Sequence, residues 1–163
     1  MWFIFMKRKN KILIISALVI ITVFAAYILY KSGNSIPKDN SYRVDCGPRA
    51  LSGLLSYYNV GITPDSIAKL AETGKNGTSM LNLALTARYL GFEAVGIKTD
   101  YVGLSKIPLP ALAHVNNNHY LMLINVMADS VLLEDGGKLF FEKREKFLGK
   151  WVGNILLVYP KTK

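Results

Sequence analysis

The hydrophobic pattern of this chain changes period at Leu90-Gly91, and that change limits what it can fold into. Before it, Leu51, Leu54, Leu55 and Tyr58 form the apolar stripe of one amphipathic helix, and Met80, Leu83, Ala87 and Leu90 share a face of another. After it, segments 93–97, 111–115, 119–126, 130–134, 138–142 and 154–159 read as strands, with a short helix near 143–150. Helices first and consecutive strands afterwards predict an α+β domain, its N-terminal helices packed on an antiparallel sheet.

Local signals set the boundaries. Asp45 is a good N-cap and Pro48 fits a first helical turn, which predicts a helix from Cys46 to Tyr58 closed by Gly61. Thr63-Pro64 caps a second, short helix running to about Ala71, and Glu72–Gly77 is a loop. Thr78 or Ser79 caps the third helix, and Gly91 ends it.

Cys46 is the only cysteine, so it has no intramolecular disulfide partner. It is either a small core hydrophobe or a reactive thiol. A place in the first turn of a helix favours the thiolate, because unpaired N–H groups and the positive end of the dipole face it. Asp45 opposes that effect with its charge, and Gly47 leaves room for a substrate backbone to approach the sulfur.

A nucleophilic thiol also needs an imidazole. The chain has two, His114 and His119, on either side of the turn Asn116-Asn117-Asn118. His119 opens the second strand of this hairpin, where a side chain is accessible; His114 lies inside the first strand and reads as a structural residue. Asp135, at the end of the next strand, is one hairpin from His119 and can orient it. Glu134 competes, but alternation along a strand lets only one of the two face the histidine.

These pieces, in this order, resemble the bacteriocin-processing cysteine peptidases, family 39 of the cysteine peptidases. The resemblance is carried by Asp45-Cys46-Gly47 before an amphipathic helix, Gly77-Thr78-Ser79, Leu90-Gly91-Phe92-Glu93-Ala94 and Leu109-Pro110-Ala111. It continues through Asn118-His119-Tyr120, Glu134-Asp135 and Phe147-x-x-x-Trp151-x-Gly153. It implies a papain-like fold and the removal of double-glycine leader peptides, by a domain found in peptide-exporting ABC transporters and in stand-alone proteins. The family's cysteine, histidine and aspartate fall on Cys46, His119 and Asp135. Its oxyanion-hole glutamine falls on Asn40, one methylene shorter, and its usual Asp-Pro is here Asp135-Gly136. No cofactor is implied. These two departures motivate a second reading, a catalytically impaired papain-like domain that binds a peptide or partner.

The apolar excess is local. Ile12–Tyr30 is 19 residues without a charge, about the length that spans a bilayer as helix. Lys7, Arg8, Lys9 and Lys11 precede it, which predicts an uncleaved single-pass anchor with the N-terminus cytoplasmic and the domain outside. A signal peptide cleaved near Val23-Phe24-Ala25 is the rival. The expected organisation is a basic flank and anchor over 1–30, a linker over 31–40 and a peptidase domain over 41–163.

Net charge is +9, of which residues 1–40 hold +5 through six Lys/Arg and one acid. The basic balance therefore belongs largely to the membrane flank and is no nucleic-acid footprint. Lys143, Arg144, Lys146 and Lys150 form a basic cluster that reads as a solvated helix face. One Cys and two His do not provide the spacing of a metal site. The expected partners are a peptide or protein substrate, the bilayer and a peptide exporter.

Overall fold

A computed structural model describes residues 44–161. The anchor expected over Ile12–Tyr30, the linker over 31–40 and Asn40 lie outside the described residues. Among the described residues no helix is long and apolar enough to cross a membrane.

The elements run α1 (Cys46–Tyr57), α2 (Pro64–Leu70), α3 (Met80–Tyr89), β1 (Phe92–Lys98), α4 (Tyr101–Leu104), β2 (Ala111–Val115), β3 (His119–Val126), β4 (Ser130–Asp135), β5 (Lys138–Lys143), α5 (Arg144–Leu148) and β6 (Trp151–Pro160). Helices precede strands, and the strands form one antiparallel sheet in the order β1-β6-β2-β3-β4-β5. The last strand is interior. β6 pairs with β1 from Phe92↔Pro160 to Lys98↔Asn154 and with β2 on its other side.

Both faces of the sheet are buried at its centre. Alternate residues of β2 and β3 divide between two cores: Leu112, Tyr120 and Met122 pack with Leu51, Leu54 and Leu83 of the helices, while Ala113, Leu121 and Leu123 pack with Phe147, Trp151 and Leu104. Leu51, Leu54 and Leu55 of α1 are fully buried. Each such leucine contributes about 1.5–3 kcal/mol relative to exposure, so the stripe read from sequence is what pins α1 to the sheet.

The caps refine the expected boundaries. Thr63 caps α2 by accepting from Ser66 N–H, and Ser79, not Thr78, caps α3 by accepting from Asn82 N–H. Asp45 stands at the N-cap position of α1 but makes no side-chain cap hydrogen bond; its carboxylate instead accepts from Arg49 Nε at 2.6 Å. Gly61 does not close α1. Asn59 does, with φ 61°, because asparagine tolerates the left-handed region. α4 was not foreseen, being one turn capped by Asp100, too short to show periodicity. β6 starts at Trp151, ahead of the expected 154, and Gly153 carries its irregularity with φ 99°.

Candidate active site

Three segment ends meet at one end of the sheet: the first residue of α1, the β2–β3 turn, and the end of β4. The β2–β3 turn is tight, with Asn116 and Asn117 both left-handed and Asn118 N–H donating to Val115 O. It delivers His119 as the first residue of β3 and turns the Asn118 carbonyl toward Cys46, whose Sγ donates to it at 3.7 Å.

His119 is the hinge of the arrangement. Its Nε2 lies 3.0 Å from Asp135 Oδ2, and its ring is near enough to Cys46 to lower the thiol's pKa. The structure thus brings together Cys46, His119 and Asp135. Glu134 goes elsewhere: its carboxylate lies against Gly53 of α1 and accepts from Gly137 N–H. The alternation along β4 is what separates the two acids.

The electrostatics favour a charged pair. Burial pushes the Cys46 thiol up, but the His119 hydrogen bond, the Tyr120 and Gly47 backbone N–H groups and the His119 charge together hold it below the ordinary thiol value. His119 is raised to about 9 by the hydrogen bonds to Asp135 and then Cys46, against the opposing effect of burial. The Asp135 carboxyl is lowered, first by its bond to His119. Arg49 offsets the Asp45 charge beside the sulfur, an i,i+4 ion pair that the sequence spacing already displays. Both shifts run in the direction of a thiolate beside an imidazolium.

His114 lies apart from this chain of bonds. Its ring stacks on Tyr120 at 4.6 Å, and burial, with the nearby His119 charge, lowers its pKa. It nevertheless lines the same cleft, of about 870 Å³, as Cys46, Tyr120, Asn154 and the loop 75–80. The sequence reading left Tyr120 and Asn154 out of the site; their only signal was adjacency to His119 and Gly153. Gly47 has a different role from the one expected. A Cβ there would sit 3.1 Å from Leu83 and 3.3 Å from Tyr120, so its bareness lets the start of α1 close on α3 and β3.

The two departures from the family pattern divide. Asn40 lies outside the described residues. Gly136 has φ 57° and Gly137 φ 89°, forming a two-residue hairpin turn between the paired Asp135 and Lys138. Proline, fixed near φ −65°, could not occupy this turn, and the glycine pair leaves Asp135 within reach of His119. Among the described residues no group of three His, Cys, Asp or Glu could hold a metal ion.

A thiol at a helix start, an imidazole beside it and a carboxylate behind, on an antiparallel sheet, are the parts of a cysteine peptidase. The model described as the Peptidase C39 family matches residues 38–163, and the chain belongs to that family. It is 32% identical over 125 residues to the lactococcin-G-processing and transport ATP-binding protein LagD of Lactococcus lactis subsp. lactis, a match covering 72% of this chain and 18% of that one. It is 30% identical over 128 residues to an uncharacterized protein of Methanothermobacter thermautotrophicus, covering 77% of this chain and 89% of that one.

Among solved structures, a double glycine motif protease from an AMS/PCAT transporter, in complex with the leader peptide, is similar with TM-score 0.68 at 25% identity, over 72% of this chain and 86% of that one. The peptidase domain of Streptococcus ComA shares the fold, with TM-score 0.68 at 24% identity over 77% of this chain and 97% of that one. The chain is a cysteine peptidase, and it spans less than a fifth of the transport protein LagD that it matches.

Proposed function

We propose that this chain is a membrane-anchored peptidase that cleaves after a Gly-Gly pair in leader or exported peptides, with Cys46 as nucleophile. The observation that carries the reading is His119, 3.0 Å from Asp135 and raised to about 9 by Asp135 and then by Cys46 beside it. Cys46 Sγ attacks the scissile carbonyl while the His119 imidazolium holds a proton. That proton passes to the leaving amine as the C–N bond breaks, leaving a thioester. Water then attacks the thioester, giving its proton to His119, and the thiolate departs. Asp135 fixes the ring by accepting from Nε2–H throughout.

The Cys46 backbone N–H and the Asn40 amide stabilise the oxyanion, a contribution of about 3 kcal/mol per donor in such sites. The names of the relatives support a peptide substrate and an exporter as partner: one processes and transports lactococcin G, and another is a double glycine motif protease of a transporter. The charge asymmetry about Ile12–Tyr30 supports an anchor with the domain outside the cytoplasm.

The test is a synthetic peptide containing a Gly-Gly leader end, incubated with the full chain and read by mass spectrometry. Cleavage after the second glycine, lost in Cys46→Ala and in His119→Ala and retained in His114→Ala, supports the roles. Turnover that survives Cys46→Ala, or that dies with His114→Ala in a folded protein while His119→Ala keeps it, refutes them. For topology, alkaline phosphatase fused after Lys163 should be active; a silent fusion puts the domain in the cytoplasm and makes processing before export the better account.

A further inference from the structure

Lys150 departs from the solvated basic face expected of residues 143–150. Its side chain is 23% exposed against 79% for Lys146, and its Nζ lies 2.7 Å from Glu142 Oε2. Glu142 alternates on β5 with Phe140, onto the side where Phe147 packs, and only 4% of its side chain reaches solvent. Lys146 stands 3.4 Å from the other carboxylate oxygen. Among the described residues Oε2 has no well-aligned hydrogen-bond donor, so the charge of Lys150 is what compensates its burial.

The backbone of Lys150 meets the turn that carries His119. Its carbonyl accepts from Asn116 N–H at 2.8 Å, one step beyond the last β2–β6 pair, Val115↔Trp151. The ladder is irregular just before that pair, where the register shifts between Ala113 and Val115. Asn116 and Asn117 are left-handed, at φ 52° and 58°, a conformation that two successive non-glycine residues keep where their neighbours hold it. The next carbonyl, of Asn118, accepts from Cys46 Sγ, and His119 follows. One residue thus links a buried carboxylate on β5 to the turn beside the thiol. Its charge also reaches the site: the Asp135 carboxyl is lowered first by its bond to His119, and Lys150 acts in the same direction.

We propose that Lys150, seated by the buried Glu142 carboxylate, is a positioning residue that holds the β2–β3 turn so that His119 stands beside Cys46. The proposal rests on the reading of His119 as the group that activates Cys46. A lysine stem is flexible, and an ion pair with an acid that cannot follow it into solvent fixes both its ends. With the ammonium released, the Lys150 N–H keeps its bond to Phe147 O, but the carbonyl is free to turn away from Asn116. A displacement of about 1 Å at a catalytic group costs up to about a hundredfold in rate, so a distant ion pair is felt at the sulfur.

The test is the pH profile of Cys46 alkylation by iodoacetamide in the full chain, which needs no knowledge of the substrate. Lys150→Met should move the profile to higher pH and slow alkylation at pH 7 by about fivefold, with the high-pH plateau unchanged. The double variant Lys150→Met, Glu142→Gln leaves no buried charge unpaired and should show the same change in a folded protein. Lys150→Arg, which keeps the charge and can pair with Glu142, should stay within about twofold of wild type, as should Lys146→Met. A double variant that melts lower but keeps the wild-type profile overturns the proposal in favour of a purely structural pair. An equal loss in Lys146→Met overturns it in favour of a general effect of positive charge. If His119→Ala itself leaves the profile unchanged, His119 does not activate the thiol, and that reading falls together with this one.

Discussion

Replacing Asp135 with asparagine removes a charge and keeps an oxygen that His119 Nε2 can still bond. His119 stands at about 9 against an ordinary 6.5, held there first by Asp135 and second by Cys46. Losing a carboxylate at 3.0 Å from a ring that is 30% exposed should lower that value by about 1–2 units. At pH 8 the imidazolium share then falls from about nine-tenths to between roughly a half and a tenth. With only two histidines in the chain, proton NMR of the imidazole C–H resonances follows both; His114 titrates low and His119 high, so the curves separate.

Stability follows with a definite sign. A raised imidazole contributes fully below 6.5, and its contribution is lost as pH rises through about 9; the lowered Asp135 loses its share as pH falls through its folded value. The deficit of Asp135→Asn in melting temperature should therefore be greatest between about pH 5 and 6.5, shrink through neutrality and vanish above about pH 10. An upper histidine that still titrates near 9 in Asp135→Asn would refute the assignment of the shift to this carboxylate.

Other substitutions test the scaffold. Gly47→Ala should destabilise by about 1–3 kcal/mol in denaturant unfolding, because the new methyl meets Leu83 and Tyr120 in a buried seam. Gly136→Pro, although it restores the family's usual pair, should cost about 1–3 kcal/mol and broaden the His119 resonance, since φ 57° is closed to proline. Ser79→Ala should cost about 1 kcal/mol of thermal stability through the lost cap on α3, with the Cys46 alkylation rate unchanged. In the wild type, iodoacetamide should alkylate Cys46 well below the pH at which an ordinary thiol reacts, and His119→Ala should raise that pH.

Long elements were legible in the sequence because each repeats its signal. The leucine stripe of α1, the face of α3 and the strand order around the asparagine turn all emerge from spacing alone. Features set by one residue or by tertiary contact were not. Asp45 looks like a cap, but Arg49 competes for its carboxylate. Gly61 looks like a helix stop, yet Asn59 takes the left-handed conformation. Gly47 looks like an opening for substrate, and only the positions of Leu83 and Tyr120 reveal that it closes a seam. At the site, types and order singled out Cys46, His119 and Asp135, which the fold brings together; the pairing of Asp135 rather than Glu134 with the histidine depends on which face of β4 the turn presents. The interior position of β6 has no local signal at all, since nothing in a terminal apolar run says which two strands it will separate.

That interior strand makes the setting of His119 depend on the last element of the sheet. β2, which leads into the turn bearing His119, obtains one of its two neighbours only when β6 arrives, and Asn116 N–H is held by the carbonyl of Lys150 just ahead of that strand. The thiol emerges from synthesis more than a hundred residues earlier. Until β6 is inserted, β2 and the turn that carries His119 lack the neighbouring strand and the Lys150 carbonyl that hold them in this fold. Such long-range pairing folds slowly. It also ties the setting of His119 to a strand far from it in sequence.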